Sequence, residues 1–175
     1  MAFDGFLKIG TIKGESQDGT FAGSKNWIDV LSFTYGVTQS GSASSQGGLT
    51  AGKANFQDFT FTQKVHIGSP EMFLTCANGK VHEEAWFVAR KAGETPQVFM
   101  QIKMKNVLIT SVTSQGAGGP DEIPTETVSL TAEMLAVWYG QQDSKGQIAS
   151  NIATGWDQKK AIKWDGHGLA ANPKG

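Results

Sequence analysis

The sequence holds one cysteine, five prolines and three histidines among 175 residues. A lone Cys76 excludes an intramolecular disulfide and any site built on paired cysteines, and it points to folding in a reducing compartment. It lies in Met72-Phe73-Leu74-Thr75-Cys76-Ala77, a helical stretch where a buried, inert thiol is expected. His66, His82 and His167 share no metal-ligand spacing, so no metal and no cofactor is implied. Charge is nearly balanced at −1, which argues against a nucleic-acid groove. Lys159, Lys160 and Lys163 form one small basic run, expected to be solvated. No stretch approaches the ~20 apolar residues of a membrane span, so no membrane insertion is expected. Met1-Ala2-Phe3-Asp4-Gly5-Phe6 lacks the basic start and apolar run of a secretory signal. Any exit from the cytoplasm is therefore expected to be signal-free.

Catalytic patterns are also scarce. Gly47-Gly48-Leu49-Thr50-Ala51-Gly52-Lys53-Ala54 fits G-x-x-x-x-G-K, but Ala54 stands where a magnesium-binding hydroxyl belongs, and a strand follows instead of a helix. Gly14-Glu15-Ser16-Gln17-Asp18 lacks the second glycine of a nucleophile elbow. Glu83-Glu84 and Asp121-Glu122 are sequence neighbours, and on a strand neighbours point to opposite faces. A non-enzymatic protein is the expectation.

What the chain does have is glycine, 22 residues, and alternating strands. Its length fits one domain that needs no covalent staple. Phe3 to Ile9 reads as a strand and Thr11 to Ser24 as a loop. Asn26 to Thr38 reads as one long strand, with Trp27, Asp29, Leu31, Phe33, Tyr35 and Val37 facing the core and Ile28, Val30, Ser32, Thr34 and Gly36 opposite. Asn55 to Val65, Ala85 to Lys91, Val98 to Ser114 and Thr127 to Tyr139 follow as strands. In the last, Val128, Leu130, Ala132, Met134, Ala136 and Trp138 form one apolar face. Gly155 to Trp164 adds a terminal strand. Ser69-Pro70-Glu71 predicts a helix start with Ser69 as cap, and Asn78-Gly79 its end. Ser40 to Gly52 is too polar and small to order itself by burial, and is either a floppy connection or an arm that orders against a partner. The predicted fold is mainly β, a sandwich or closed barrel with one helix.

An ordered set of short motifs resembles the Hcp family, the tube proteins of the bacterial type VI secretion system. Phe6-Leu7-Lys8-Ile9, Lys13-Gly14-Glu15-Ser16 and Ile28-Asp29-Val30-Leu31-Ser32-Phe33-Thr34-Tyr35-Gly36 come first. Ala51-Gly52-Lys53, Gln57-Asp58-Phe59-Thr60-Phe61-Thr62, Ser69-Pro70, Gly79-Lys80 and Arg90-Lys91-Ala92-Gly93 continue it. Val107-Leu108-Ile109-Thr110-Ser111-Val112, Glu126-Thr127-Val128-Ser129-Leu130 and Gly155-Trp156-Asp157 complete it, across residues 3–165. The resemblance implies a single β-barrel domain over 1–165 with a short flanking helix, and a flexible tail over 166–175. It implies a homohexamer, rings stacked into a tube, a VgrG spike at the tip, a contractile sheath around it and small effector proteins in the lumen. Location would be cytoplasmic before firing and extracellular after it. Thr34, with Ser32 beside it, would line the lumen. Ser40, Gly41, Ser42, Ser44, Ser45, Gln46, Gly47, Gly48, Leu49 and Thr50 would form the loop that contacts a neighbouring subunit or ring. The same fold serves phage tail tubes, and a monomeric ligand-binding barrel is the other alternative.

Overall fold

A computed structural model describes residues 3–22, 26–44, 48–92, 96–119 and 123–169, with the backbone alone for 42–50. The sheet is organised about β7 (Thr125–Gln142), which pairs antiparallel with three neighbours. β6 (Val98–Gln115) runs along it as far as Tyr139, β4 (Gly48–Lys64) along its first third, to Leu130, and β8 (Ile148–Asp157) along its second half, from Met134. β5 (Val81–Lys91), β1 (Phe3–Ile9) and β2 (Ile28–Val30) continue beyond β6, and β3 (Ser32–Ser44) continues beyond β4. The path is β2-β1-β5-β6-β7-β4-β3, with β9 (Ile162–Trp164) beside β8.

The two ends of this path are consecutive pieces of chain. Leu31 alone separates β2 from β3, and its N–H donates to the Thr62 carbonyl at 2.8 Å. The sheet curls round and the chain itself spans the seam, while no ladder joins β2 to β3 among the described residues. The expected mainly β fold with one short helix forms, but the barrel is not closed by a continuous ladder. The expected single strand over Asn26–Thr38 is two strands. Ile28 and Val30 are buried, Leu31 is exposed, and Phe33 and Tyr35 then pack inward. The corner at Leu31 shifts the inward set by one residue, so Ser32 and Thr34 remain on the outer face.

The main core contains Leu7, Ile9, Phe59, Phe61, Phe87, Ile102 and Leu130. A second cluster lies on the other side of the sheet, with Phe6, Phe21, Trp27, Val88 and Trp138. This second layer explains a failed expectation in β7. Val128, Leu130 and Ala132 pack with the main core, but Leu135 and Val137 take over from there, and Trp138 belongs to the opposite layer. β6 changes phase at the same level, between Met104 and Val107, where Asn106 adopts φ 52°. A sheet covered on both faces has apolar residues at both parities, so alternation does not reveal which side is inside.

The segment between β1 and β2 is pinned over this second layer. A Cβ on Gly14 would lie 2.0 Å from the Trp27 carbonyl oxygen, and Ser16 N–H donates to that oxygen at 3.1 Å. Arg90 reaches Asp18 at 2.6 Å and Asp4 at 3.2 Å, and its guanidinium lies 5.0 Å from the Phe6 ring centroid. At the chain's end, Lys103 Nζ donates to the His167 carbonyl and Leu169 packs on the second cluster. Residues 166–169 of the expected tail thus lie against the body, and 170–175 fall outside the described residues.

α1 (Ser69–Asn78) begins with Pro70 in its first turn and ends on Gly79 at φ 69°. The expected Ser69 cap is not made: Gly68 holds the cap position. Ser69 is buried and its hydroxyl bonds Glu126 instead. Cys76, expected to be buried, is partly exposed at the edge of the main core.

Candidate functional site

Strands β3, β4, β7 and β6 lie side by side and bring two rows of hydroxyls together. Thr34 faces Thr60, Thr60 faces Ser129, and Ser129 faces Ser111. One step along the strands, Ser32 faces Thr62, Thr62 faces Thr127, and Thr127 faces Thr113. With strands about 4.8 Å apart and same-face residues about 7 Å apart, this grid is roughly 14 Å wide. All eight positions are exposed or half-buried. The alternating residues Phe33, Phe59, Phe61, Val128, Leu130 and Ile109 face inward and carry the core.

Some of these hydroxyls bond one another. Ser32 Oγ and Thr62 Oγ1 are 2.6 Å apart, and Thr60 Oγ1 and Ser129 Oγ are 2.9 Å apart. Such pairs hold rotamers across strands and present lone pairs outward. The face offers many weak, uncharged hydrogen-bonding groups on a rigid sheet. No metal-binding group of three ligands occurs among the described residues.

One carboxylate stands in this field. The β3–β4 register slips between Thr34–Thr60 and Gly36–Gln57. Phe59 turns into the core by alternation from Phe61, and Asp58, the next residue, is half-buried. Thr110 Oγ1 donates to Asp58 Oδ2 at 2.6 Å and lies 3.1 Å from the Ser129 carbonyl oxygen. Asp58 thereby spans β7 from β4 to β6.

The expected arm at Ser40–Gly52 is not an irregular connection. Ser40 and Gly41 lie in β3, with Ser42 paired to Thr50, Ala43 to Leu49 and Ser44 to Gly48. Ser45, Gln46 and Gly47 lie outside the described residues. The stretch is the end of a long hairpin, and pairing its own backbone groups supplies what side-chain burial cannot. The phosphate-loop pattern over Gly47–Ala54 accordingly sits almost wholly in β4.

Where this hairpin leaves the body, an apolar cleft opens between it and β7–β8. It has a volume of about 730 Å3 against Val37, Phe56 and Trp156, and about 240 Å3 more against Tyr35, Leu135 and Val137. Burial raises the Tyr35 phenol above its usual range. Val37 is 57% exposed, and Tyr139 and Ile152, paired across β7 and β8, are 51% and 68% exposed. Tyr139 and Ile152 lie one same-face step beyond Val137 and Thr154, so the exposed apolar side chains extend from the cleft along β7 and β8.

Thr34 and Ser32 are therefore adjacent on one exposed face, as their alternation implied. Their six hydroxyl companions and the apolar cleft were not identified from sequence. The signal for the hydroxyls was present in Thr60-Phe61-Thr62 and Thr127-Val128-Ser129, but strand adjacency was not. Two of the three histidines are at least partly buried. His82 is 3% exposed, and His66 is half-buried with Nδ1 accepting the Gly68 N–H at 2.9 Å. Burial lowers the pKa of both below the usual imidazole range. Glu83 and Glu84 share a lysine, Lys105 Nζ lying 3.6 and 3.2 Å from their carboxylates.

Comparison with known proteins agrees on one group. A family model described as "Type VI secretion system effector, Hcp" matches residues 6–139. "Protein hcp1" of Pseudomonas aeruginosa is 39% identical over 165 residues, covering 93% of this chain and 99% of that protein. A solved structure described as a type six secretion system protein superposes with TM-score 0.86 at 25% identity, covering 93% of this chain and all of the other. Hcp1 from Salmonella typhimurium superposes with TM-score 0.75 at 29% identity, covering 94% of this chain and all of its own.

Proposed function

This chain belongs to the Hcp family of the type VI secretion system, and from that premise we propose that it is a non-enzymatic ring subunit whose hydroxyl face lines a cargo channel. The observation that carries the channel reading is the grid of eight serine and threonine hydroxyls centred on Thr34, Thr60 and Ser129. A channel for varied cargo needs a wall that is rigid, wet and weakly selective. A sheet face of short hydroxyl side chains supplies all three, because none protrudes far and each can donate or accept.

The ring is a homohexamer in this reading. The apolar cleft beside Val37 and Trp156, with the ridge of Tyr139 and Ile152, is the surface that a neighbouring subunit covers. A stable interface buries about 1,600 Å2 in total, and these side chains give it an apolar centre. The hairpin end, Ser40–Thr50, reaches a neighbouring subunit or ring. A VgrG spike, a contractile sheath and small effectors complete the set of partners, and the protein passes from cytoplasm to exterior with the fired tube.

Electron microscopy of the purified protein tests the assembly, with rings and short stacks expected; a strictly monomeric species at high concentration would count against it. Thr34→Gln tests the channel. Longer side chains should narrow the lumen and weaken retention of a cognate effector while rings stay intact. Unchanged co-purification would remove Thr34 from the channel wall. Cysteines placed at Ser44 and on a facing ring should crosslink if the hairpin ends meet across a stack.

A further inference from the structure

We propose that Asp58 gives this channel a charge preference, selecting cargo whose contact surface carries lysine or arginine; the inference rests on the channel reading of the hydroxyl face. Around Asp58 the grid positions are uncharged, so the local field is set by this carboxylate. No cation lies within ion-pair distance of it among the described residues. Its one side-chain partner among the described residues is the Thr110 hydroxyl, a neutral donor, at 2.6 Å. That bond fixes the side chain over β7 without neutralising it.

The placement is built by the backbone. The register slip between Thr34–Thr60 and Gly36–Gln57 inserts one residue into β4. Phe59 alternates into the core with Phe61, each at 1% exposure, and Asp58 beside it accepts from the exposed Thr110 hydroxyl, which also lies 3.1 Å from the Ser129 carbonyl oxygen. In a ring each subunit repeats the group, so one carboxylate per subunit forms a belt around the channel. Individually such a charge contributes little in water. A belt acts on one cargo many times at once, and repeated weak contacts multiply. Glu133 lies on β7, beyond Ser129, but Lys159 approaches it at 4.0 Å and Asn106 donates to it at 3.0 Å, so its charge is partly answered.

The test uses assembled rings and two fluorescein-labelled peptides of equal length, one lysine-rich and one glutamate-rich, followed by fluorescence anisotropy at low salt. Parent rings should bind the lysine-rich peptide more tightly. Asp58→Asn, which can still accept from Thr110, should weaken that binding about three- to ten-fold and leave the glutamate-rich peptide unchanged or tighter. Asp58→Glu should keep the parent preference. Glu71→Gln, on α1 across the core from the hydroxyl face, should change neither peptide. Thr34→Gln should weaken both peptides regardless of sign. Equal binding of the two peptides by parent rings, or an Asp58→Asn ring that keeps the preference while Thr34→Gln weakens both, overturns the charge inference and leaves the channel standing. Intact Thr34→Gln rings that bind both peptides as the parent does overturn the channel reading beneath it.

Discussion

Ser69 Oγ donates to Glu126 Oε2 at 2.6 Å, joining the first residue of the only described helix to the second residue of β7. The same carboxylate accepts from Gln63 Nε2 at 3.0 Å and from Ser114 Oγ at 2.8 Å. Glu126 is 5% exposed, and burial opposes its charge, but the three donors outweigh burial and hold its carboxyl below the usual range. One residue thus ties α1, β4, β6 and β7 together.

Removing that acceptor strands two buried donors, Gln63 and Ser69, while the exposed Ser114 can turn to water. Glu126→Ala should cost about 2–4 kcal/mol, since each unpaired buried group forfeits its desolvation cost. Urea unfolding at neutral pH reads this directly. Ser69→Ala removes one donor and should cost about 1 kcal/mol, although a cap reading of Ser69 would also predict a loss. Loss of helix content alone would favour the cap, whereas coupling to Ser114→Ala in a double-mutant cycle identifies the shared carboxylate.

Acid should act in two stages, and the signs follow from the shifts. His66 and His82 have folded pKa values below the ordinary 6.5, so the unfolded chain takes up protons first. Their contribution is present above pH 6.5 and is lost as pH falls through their lowered folded values. Glu126 is lowered from 4.5, so its contribution is present above that pH and is lost below it. Urea midpoints should therefore fall below neutrality and fall again below about pH 4.5. Glu126→Gln should flatten the second stage and leave the His82 part of the first, since Glu126 acts on His66 but not on His82.

Arg90 is the corresponding knot on the second layer. Its partner Asp18 is held below the ordinary carboxyl range, mainly by the hydrogen bond from Arg90. Arg90→Ala should cost about 3 kcal/mol, because it leaves partly buried carboxylates unpaired and uncovers Phe6 and Phe21. Asp4→Ala, removing a half-exposed partner, should cost under about 1 kcal/mol. Equal losses from the two substitutions would refute this ranking, read from thermal unfolding.

How far the sequence reaches is seen by comparing β1 with the strand run at Asn26–Thr38. Phe3–Ile9 was read with its observed bounds because a short apolar run between turn signals has one solution. The second run was read as continuous because Leu31 is apolar and nothing local marks it as a corner. Only the demand that one chain serve both β1 and β4 bends it there. Ser40–Gly52 misled in another way: composition reports what side chains can bury, and this hairpin is held by its backbone ladder. Thr34 and Ser32 were legible as an outward pair. Their companions on β4, β6 and β7 were not, since a sequence of alternating strands does not say which strands are neighbours. The second core layer was equally hidden, because Trp138 and Leu135 are both apolar and only the covering residues distinguish their sides.

Gly14 gives a physical reason for one motif that the sequence offered only as a likeness. Its missing Cβ leaves room for the Trp27 carbonyl, which a methyl would meet at 2.0 Å, and no side-chain rotation relieves a clash with backbone. Gly14→Ala should push the Glu15–Ser16 segment off the second layer, breaking the Ser16 to Trp27 hydrogen bond. A loss of about 2–4 kcal/mol is expected, in the range of backbone strain combined with lost packing. Gly19, whose Cβ would meet nothing within 4 Å, supplies the control, and Gly19→Ala should be close to neutral by chemical unfolding.

Ile152 separates assembly from folding. It is 68% exposed on β8, opposite Tyr139 and one same-face step along the strands from Val137 and Thr154, which line the apolar cleft. An exposed side chain contributes little to the subunit's own stability, so Ile152→Asp should leave the unfolding midpoint of the isolated subunit within about 0.5 kcal/mol of the parent. In an assembled ring the same substitution places an unpaired carboxylate in an apolar interface, at a cost of about 2 kcal/mol or more per contact. Closing a ring requires every contact at once, so the penalty recurs around it. Analytical ultracentrifugation should show the parent as rings and Ile152→Asp as a folded monomer. Ile152→Val, which keeps the surface apolar, should remain assembled. A variant Ile152→Asp that forms rings at the parent's concentration would move the interface away from this cleft, while one that unfolds would show that β8 depends on Ile152 within the subunit itself.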